Sequence, residues 1–582
     1  MYTRIFLFSN ARKNPKENPI LTKYLTIEAL EDGLTASLST NKVEYCVDGN
    51  GNWKTLSAGT ATETINTGQT LSFRGNLTPN SSNGVGTFTI SKSCNLKGNC
   101  MSLLFGDNAV SNSSLIGKNY AFHKLFYNCT TIVNVSENLL PATTLSNYCY
   151  SRMFYGCTNL TNSPELPATT LKNYCYYYMF YGCKKLASAP ELPATTLTYC
   201  CYSYMFYNCN SLTSAPELPA TTLANFCYYY MFYGCTGLTT APELPATTLA
   251  GSCYYYMFYS CTKLTSAPAL PATTLAYNCY SYMFSGCTGL TTAPALPATI
   301  LAEYCYNSMF SGCTGLTTAP ALPAITMALY CYKNMFYNCK KLTTAPALPA
   351  TTLANNCYEY MFQSCTGLTT APALPATTLA EYCYTSMFSG CTGLTTAPAL
   401  PATTLANSCY ASMFISCVNL TTAPDLPAPI LVNNCYAAMF QMCQTLNYVK
   451  MLATDISATG CLSGWLYSVS AGGTFVKHPD MNSLPTGQSG IPTGWTIVND
   501  GEYSEGNLIT FTIDGTEYQA EEGMTWEQWI NSSYYDQNLN ITIKTNGRLY
   551  IDGEPIFRNS SQGALLQYTT TEIIVNGIYN SM

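Results

Sequence analysis

The chain has 582 residues, 25 Lys and Arg against 31 Asp and Glu, a net charge of -6 and only 10% charged residues. That balance provides no basic surface to neutralise phosphates or anionic lipid, which argues against nucleic acid and acidic membranes as partners. With 47% apolar residues and 48 Tyr the composition argues against disorder, and no apolar run reaches the roughly 20 residues of a membrane span.

Residues 1–21 read as an N-terminal tail, whose apolar patch from Ile5 to Phe8 falls short of the roughly 7 to 15 residues of a secretory core, so no signal peptide is expected. Residues 22–104 alternate apolar and polar positions in runs such as Tyr24 to Leu30, Val43 to Val47 and Gly86 to Ile90, separated by Asp-Gly, Asn-Gly and Gly-Asn. This pattern predicts an all-β, sandwich-like domain that covers the first coil of the repetitive segment C-terminal to it. Residues 105–128 form a lead-in.

From Cys157 the unit CxxLTxAPxLPATTLxxxCYxxMFxx recurs eleven times, with its first Cys at 157, 183, 209, 235, 261, 287, 313, 339, 365, 391 and 417. A 28-residue version begins at Cys129, and a degenerate copy from Cys443 to Cys461 reads as a terminal cap, giving a repeat array over 129–461. In the unit at Cys235, Leu249, Cys253, Met257 and Cys261 lie at i, i+4, i+8 and i+12, beside Tyr254 and Phe258. That spacing predicts a short amphipathic helix of about three turns, with Thr247 or Thr248 capping its start. Leu238 to Leu244 holds Pro242 and precedes Pro245, which predicts an extended pass with incomplete ladder bonding. One unit buries too little to offset its ordering, so units must stack. If helices about 10 Å apart face strands about 4.8 Å apart, the stack must curve with the helices outside.

These motifs resemble the BspA-type leucine-rich repeat proteins, whose unit has an apolar-Phe pair, a Cys, a Leu and an extended segment ending in Pro. Here the matching residues are Met257 and Phe258, Cys261, Leu264 and Leu270-Pro271. The resemblance implies a leucine-rich-repeat solenoid with an adhesion or recognition role. Closely similar arrays occur in surface proteins of gut bacteria and their phages, which implies a virion surface or, alternatively, an extracellular or bacterial cell-surface location.

Residues 462–498, with Trp465 and Trp495, read as the C-terminal cap, and 499–582 as a small α+β domain. In that domain Leu508 to Ile513, Asp514-Gly515 and Thr516 to Gln519 predict a hairpin, and Thr525 caps a predicted helix bearing Trp526, Trp529 and Ile530. Strands are expected at Ile541 to Lys544, Arg548 to Ile551 and Glu572 to Val575.

Of the thirty Cys, those of the repeats read as small buried hydrophobes in two ladders, because a helix would hold the two Cys of a unit about 12 Å apart, beyond the roughly 7 Å limit for a bridge. Cys94 and Cys100 are the one close pair outside the array, and for them the sequence leaves both a bridge and free thiols open. With two His, no repeated CxxC, no P-loop, no dinucleotide fingerprint and no HExxH, the chain offers no metal site, cofactor or catalytic centre.

The copies disagree before the second Cys, after Cys-Tyr and after Met-Phe, where Tyr, Ser, Asn and Gly predominate, as in paratopes. The Tyr gather in the first half: Tyr155, Tyr177, Tyr178, Tyr181, Tyr204, Tyr207, Tyr229, Tyr230, Tyr233, Tyr255, Tyr256 and Tyr259. They are expected on the solvent face, as a binding surface, as ladders stacking Tyr on Tyr, or as both. Glu165, Glu191, Glu217 and Glu243 repeat at one position of the extended pass and form a solvated edge or a site for a divalent cation or cationic ligand. The expected function is non-catalytic recognition of a cell-surface glycan or protein, with a terminal domain anchored to a virion or surface protein. A ligand-free structural spacer is the alternative.

Overall fold

A computed structural model describes residues 22–501 apart from 482, 483 and 485, together with the strands at 508–513, 516–521, 541–543, 549–551, 554–555, 564–569 and 572–577. The tail 1–21 and the helix expected from Thr525 lie outside the described residues. Two compact units are present: Met1–Phe475 with Asp480–Thr496, and Val476–Pro479 with Ile497–Met582.

The first unit opens with β1 (Leu25–Ala29), β2 (Ala36–Leu38), β3 (Val43–Val47), β4 (Lys54–Leu56), β5 (Thr70–Arg74), β6 (Phe88–Ile90) and β7 (Cys94–Lys97). A six-stranded sheet runs in the order β4-β3-β5-β1-β7-β8, where β8 (Ile132–Val135) belongs to the first coil of the array and pairs in parallel with β7. β2 and β6 form a separate antiparallel pair. The β region therefore hands its sheet directly to the array, and Phe88 of β6 stacks 5.7 Å from Phe126 at the start of the array's Phe column. A four-residue helix α1 (Ser102–Phe105) follows β7.

The helix expected in every unit is absent. The stretch from the second Cys to the next first Cys is instead a run of turns with a left-handed residue every fourth position, such as Tyr174, Tyr178 and Gly182. Its backbone bonds alternate. Cys175, Tyr177, Met179, Tyr181 and Cys183 donate N–H to the carbonyl three residues back, while Tyr174, Tyr176, Tyr178, Phe180 and Gly182 donate to Tyr199, Cys201, Ser203, Met205 and Tyr207 of the next coil. Every amide in this run of the arm is thereby satisfied, half within its coil and half between coils.

The physical reason lies in the period. An α-helix advances about 100° per residue, so a seam repeating strictly every four residues drifts by about 40° per step and cannot stay on one face. A four-residue turn keeps it there: Cys253, Met257 and Cys261 are fully buried, as are Tyr254 and Phe258, while Leu249 is only half-buried. With no helix, neither Thr247 nor Thr248 caps one, and the helix width that would have forced curvature is gone. The buried Phe column from Phe126 to Phe440 steps at 5.5 to 5.8 Å.

Between the first and last coils the extended pass pairs through isolated parallel bridges, mostly at its Thr and Ser positions, as in Ser214↔Thr240↔Ser266↔Thr292 and Thr326↔Thr352↔Thr378. The prolines between these positions have no N–H to give. The array also begins earlier than Cys129: Tyr120, Phe122, Lys124 and Phe126 already donate to Asn147, Cys149, Ser151 and Met153, so the lead-in contains the first turn arm. At the far end Phe440 donates to Trp465, whose indole N–H donates to Gly490 at 3.0 Å. β9 (Tyr448–Met451) lies in the last coil.

In the second unit Leu508–Ile513 pairs antiparallel with Thr516–Glu521, Ile541–Ile543 with Leu549–Ile551, and Ala564–Thr569 with Glu572–Gly577.

Candidate functional site: a tyrosine-lined groove

Two outer positions of each turn arm build the site. The left-handed residue before Met is Arg152, then Tyr178, Tyr204, Tyr230, Tyr256 and Tyr282 in successive coils, with φ between 55° and 59° throughout. A non-glycine residue there costs about 1 to 2 kcal/mol, which the turn arm accepts because this residue's N–H reaches the next coil. Three residues on, Tyr127, Tyr155, Tyr181, Tyr207, Tyr233 and Tyr259 form a second column.

Both columns stack ring on ring. Centroids are 4.3 to 4.8 Å apart in the first and 4.5 to 4.8 Å in the second, with planes within 14° of parallel. Between them lies a groove of about 420 Å³ lined by Tyr127, Arg152, Tyr155, Tyr178, Tyr181, Tyr204, Tyr207 and Tyr230. Tyr233, Tyr256 and Tyr259 continue the columns beyond it. Tyr177, Tyr229 and Tyr255 stand in a third, half-buried line, packed by edge or tilt against Tyr178, Tyr230 and Tyr256.

This packing corrects the expectation of fully solvent-facing rings. The Tyr are half-buried, and the faces within each column are already covered by one another. The groove therefore presents ring edges and hydroxyls. Burial, with neighbouring Tyr adding, raises Tyr204, Tyr230 and Tyr256 well above the ordinary phenol value, so these hydroxyls remain protonated donors.

Tyr127 and Arg152 were not among the residues singled out in the sequence. Both continue the columns in the two coils before Tyr178: Tyr127 lies 28 residues before Tyr155, a spacing that hid its register, whereas Arg152 lies the regular 26 before Tyr178 and escaped notice because it is not a Tyr. Arg152 sits 5.3 Å from the Tyr178 ring centroid, where the next ring of the column would be.

Glu165, Glu191, Glu217 and Glu243 are exposed and do not line the groove. Among the described residues no three His, Cys, Asp or Glu side chains group as metal ligands. His123 is buried and pushed down to about 4, first by desolvation and then by Lys124 and Arg152, so it is neutral at physiological pH.

All thirty Cys are free and buried, Cys94 and Cys100 included. The helical spacing that separated the two Cys of a unit no longer holds, but a second constraint replaces it for the Cys of the CxxL segment. Twelve of these, from Cys157 to Cys443, donate S–H to the Phe carbonyl of the coil before at 3.0 to 3.2 Å. That carbonyl also accepts the N–H of its own turn, as Phe154 does from Cys157 while taking the thiol of Cys183. No helix among the described residues is long and apolar enough to cross a membrane.

Residues 120–239, 201–343, 303–421 and 328–447 match the model of the BspA type leucine rich repeat region, in six copies. No curated protein matches the chain. Among solved structures, a TLR13-ssRNA13 complex is 16% identical with a TM-score of 0.21 over 62% of this chain and 48% of that chain, so the match spans about half of that protein's length. Because the matched residues run from 120 to 447, more than half of the 582, and the Met-Phe, Cys and Leu positions of the motif are the ones buried between coils, the chain belongs to the BspA-type leucine-rich repeat proteins.

Proposed function

We propose that the protein is a non-catalytic recognition protein whose Tyr-lined groove binds a glycan or protein on a cell surface. The carrying observation is the groove itself: two outer positions that the fold leaves free are both filled with Tyr from Tyr178 to Tyr259, and the two columns enclose it. Resemblance to surface proteins of gut bacteria and their phages, together with unbridged Cys that fit assembly in a reducing cytoplasm, favours a virion surface, with a terminal region as anchor. An extracellular or bacterial cell-surface adhesin is the alternative.

The columns also favour a second reading. Stacked aromatic pairs are worth about 0.5 to 1.5 kcal/mol each, so the Tyr stabilise the stack whether or not anything binds, as a structural spacer would require. Phe at positions 178, 181, 204 and 207 separates the two, because it keeps the stacking and removes the hydroxyls. Recognition predicts that the four-Phe protein melts like the parent and loses binding to cells. Unchanged binding would leave the spacer reading in possession. Detection of the chain in purified virions by mass spectrometry tests the location.

A further inference from the structure

The groove is lined by seven Tyr and one cation, with no carboxylate and no aliphatic side chain. Among the described residues Arg152 makes no ion pair and no side-chain hydrogen bond. Its only contacts of that kind are the rings of Tyr177 and Tyr178, at 5.9 and 5.3 Å. Lys118 and Lys124, also half-buried, likewise lack a carboxylate and reach only the Phe105 ring and the Ser82 carbonyl, but the cations that do pair show what Arg152 lacks. Arg74 pairs with Glu44 at 2.8 Å and Asp107 at 3.1 Å, and Lys333 pairs with Glu359 at 2.7 Å. Ring edges carry the positive end of the aromatic quadrupole and protonated phenols donate, so both point the same electrostatic way as the guanidinium. A peptide would look for apolar pockets to anchor side chains, and this lining has none. Rows of hydroxyls repeated coil by coil instead match a ligand rich in hydroxyls.

Resting on the recognition reading, we infer that the groove takes an acidic saccharide, its carboxylate or sulfate on Arg152 and its hydroxyls along the two Tyr rows. Arg152 supplies a planar fork of donors suited to a carboxylate, and the covered ring faces direct the sugar to the hydroxyls rather than to stacking.

The test uses the full chain and two matched pairs of probes, trigalacturonate with its methyl ester and sialyllactose with lactose, measured by titration calorimetry. Each acid should bind at least about tenfold more tightly than its neutral partner, with the gap narrowing as salt rises. Arg152→Asn should close the gap, and Arg152→Lys should keep part of it. Asn already occupies this left-handed position at Asn334 with φ 55°, so the variant retains a residue the turn accepts, and an unchanged melting curve verifies it. Equal binding of acid and neutral forms, abolished by the four Phe substitutions, overturns the inference and leaves recognition by the groove standing. A preference that survives Arg152→Asn, or no binding of any probe, also overturns it. A glutamate oligomer binding as tightly as the acids would replace the saccharide by an acidic peptide and sink the assigned class.

Discussion

From Tyr155 to Tyr282 the two outer positions of each turn arm carry stacked rings, whereas the equivalent positions from Ser308 to Gln441 hold mainly Ser, Asn, Gln and Ala. The core does not register this change. Phe centroids step at 5.5 to 5.6 Å from Phe154 to Phe258 and at 5.6 to 5.8 Å from Phe310 to Phe414. Two halves with one backbone thus teach that buried positions set the coil and that outer positions are free to carry a surface. Even the left-handed φ is kept when Tyr gives way to Ser386, Ser412 or Ala438.

The strongest challenge to this equivalence is to empty the core in each half. Phe232→Ala and Phe388→Ala should each destabilise by about 3 to 5 kcal/mol, because both remove a fully buried ring from the same column. Chemical denaturation of the two variants checks it, and a large inequality would show that the halves do not share one core.

Stacking should then separate them. Tyr181→Ser with Tyr207→Ser removes rings from a continuous column and should cost about 1 to 4 kcal/mol in total, while Ser311→Ala with Ser389→Ala should stay within about 0.5 kcal/mol. Melting temperatures suffice to compare them. Similar losses in both halves would remove the energetic role of the outer Tyr.

Alkali probes the same contrast. Burial pushes Cys253, Cys287 and Cys365 up to about 12 from 9.0. The folded chain therefore holds these protons more tightly than the unfolded one. This stability is complete below about pH 9 and falls as pH rises towards 12. The first half adds Tyr255, raised to about 12 chiefly by burial, and the raised Tyr204, Tyr230 and Tyr256. Hydrogen exchange above about pH 9 should show the Tyr-rich coils losing protection first, and simultaneous loss would contradict the assignment. At lower pH iodoacetamide should label the repeat thiols only after unfolding.

The smallest effect concerns the backbone. Ala438, with φ 51°, has no ring to stack, so Ala438→Gly should stabilise by about 0.5 to 1 kcal/mol as relief of the left-handed strain outweighs glycine's added entropy. A destabilised variant would mean that the turn holds no strain at this site.

Much of this organisation was legible along the chain. The unbroken 26-residue period established the array, its family and the buried Leu, Cys, Met and Phe, and the prolines announced an extended pass with few ladder bonds. The concentration of Tyr in the first half pointed to the side chains that line the groove. The turn arm was legible in principle, since a seam at a strict four-residue period contradicts a helix, but apolar spacing at i and i+4 satisfies both structures over one step. Only neighbouring coils distinguish them, by taking the alternate amides that a helix would have bonded internally. Arg152 and Tyr127 entered the site because their columns exist only when coils stack; a two-residue change of spacing conceals Tyr127 in the linear chain, while Arg152 keeps the 26-residue register but breaks the run of Tyr. Which residues are buried, and how often they recur, could be read from the linear order because burial follows composition and period. That the Tyr faces are covered, with edges and hydroxyls presented, could not, because a ring's exposed surface depends on the ring one coil away.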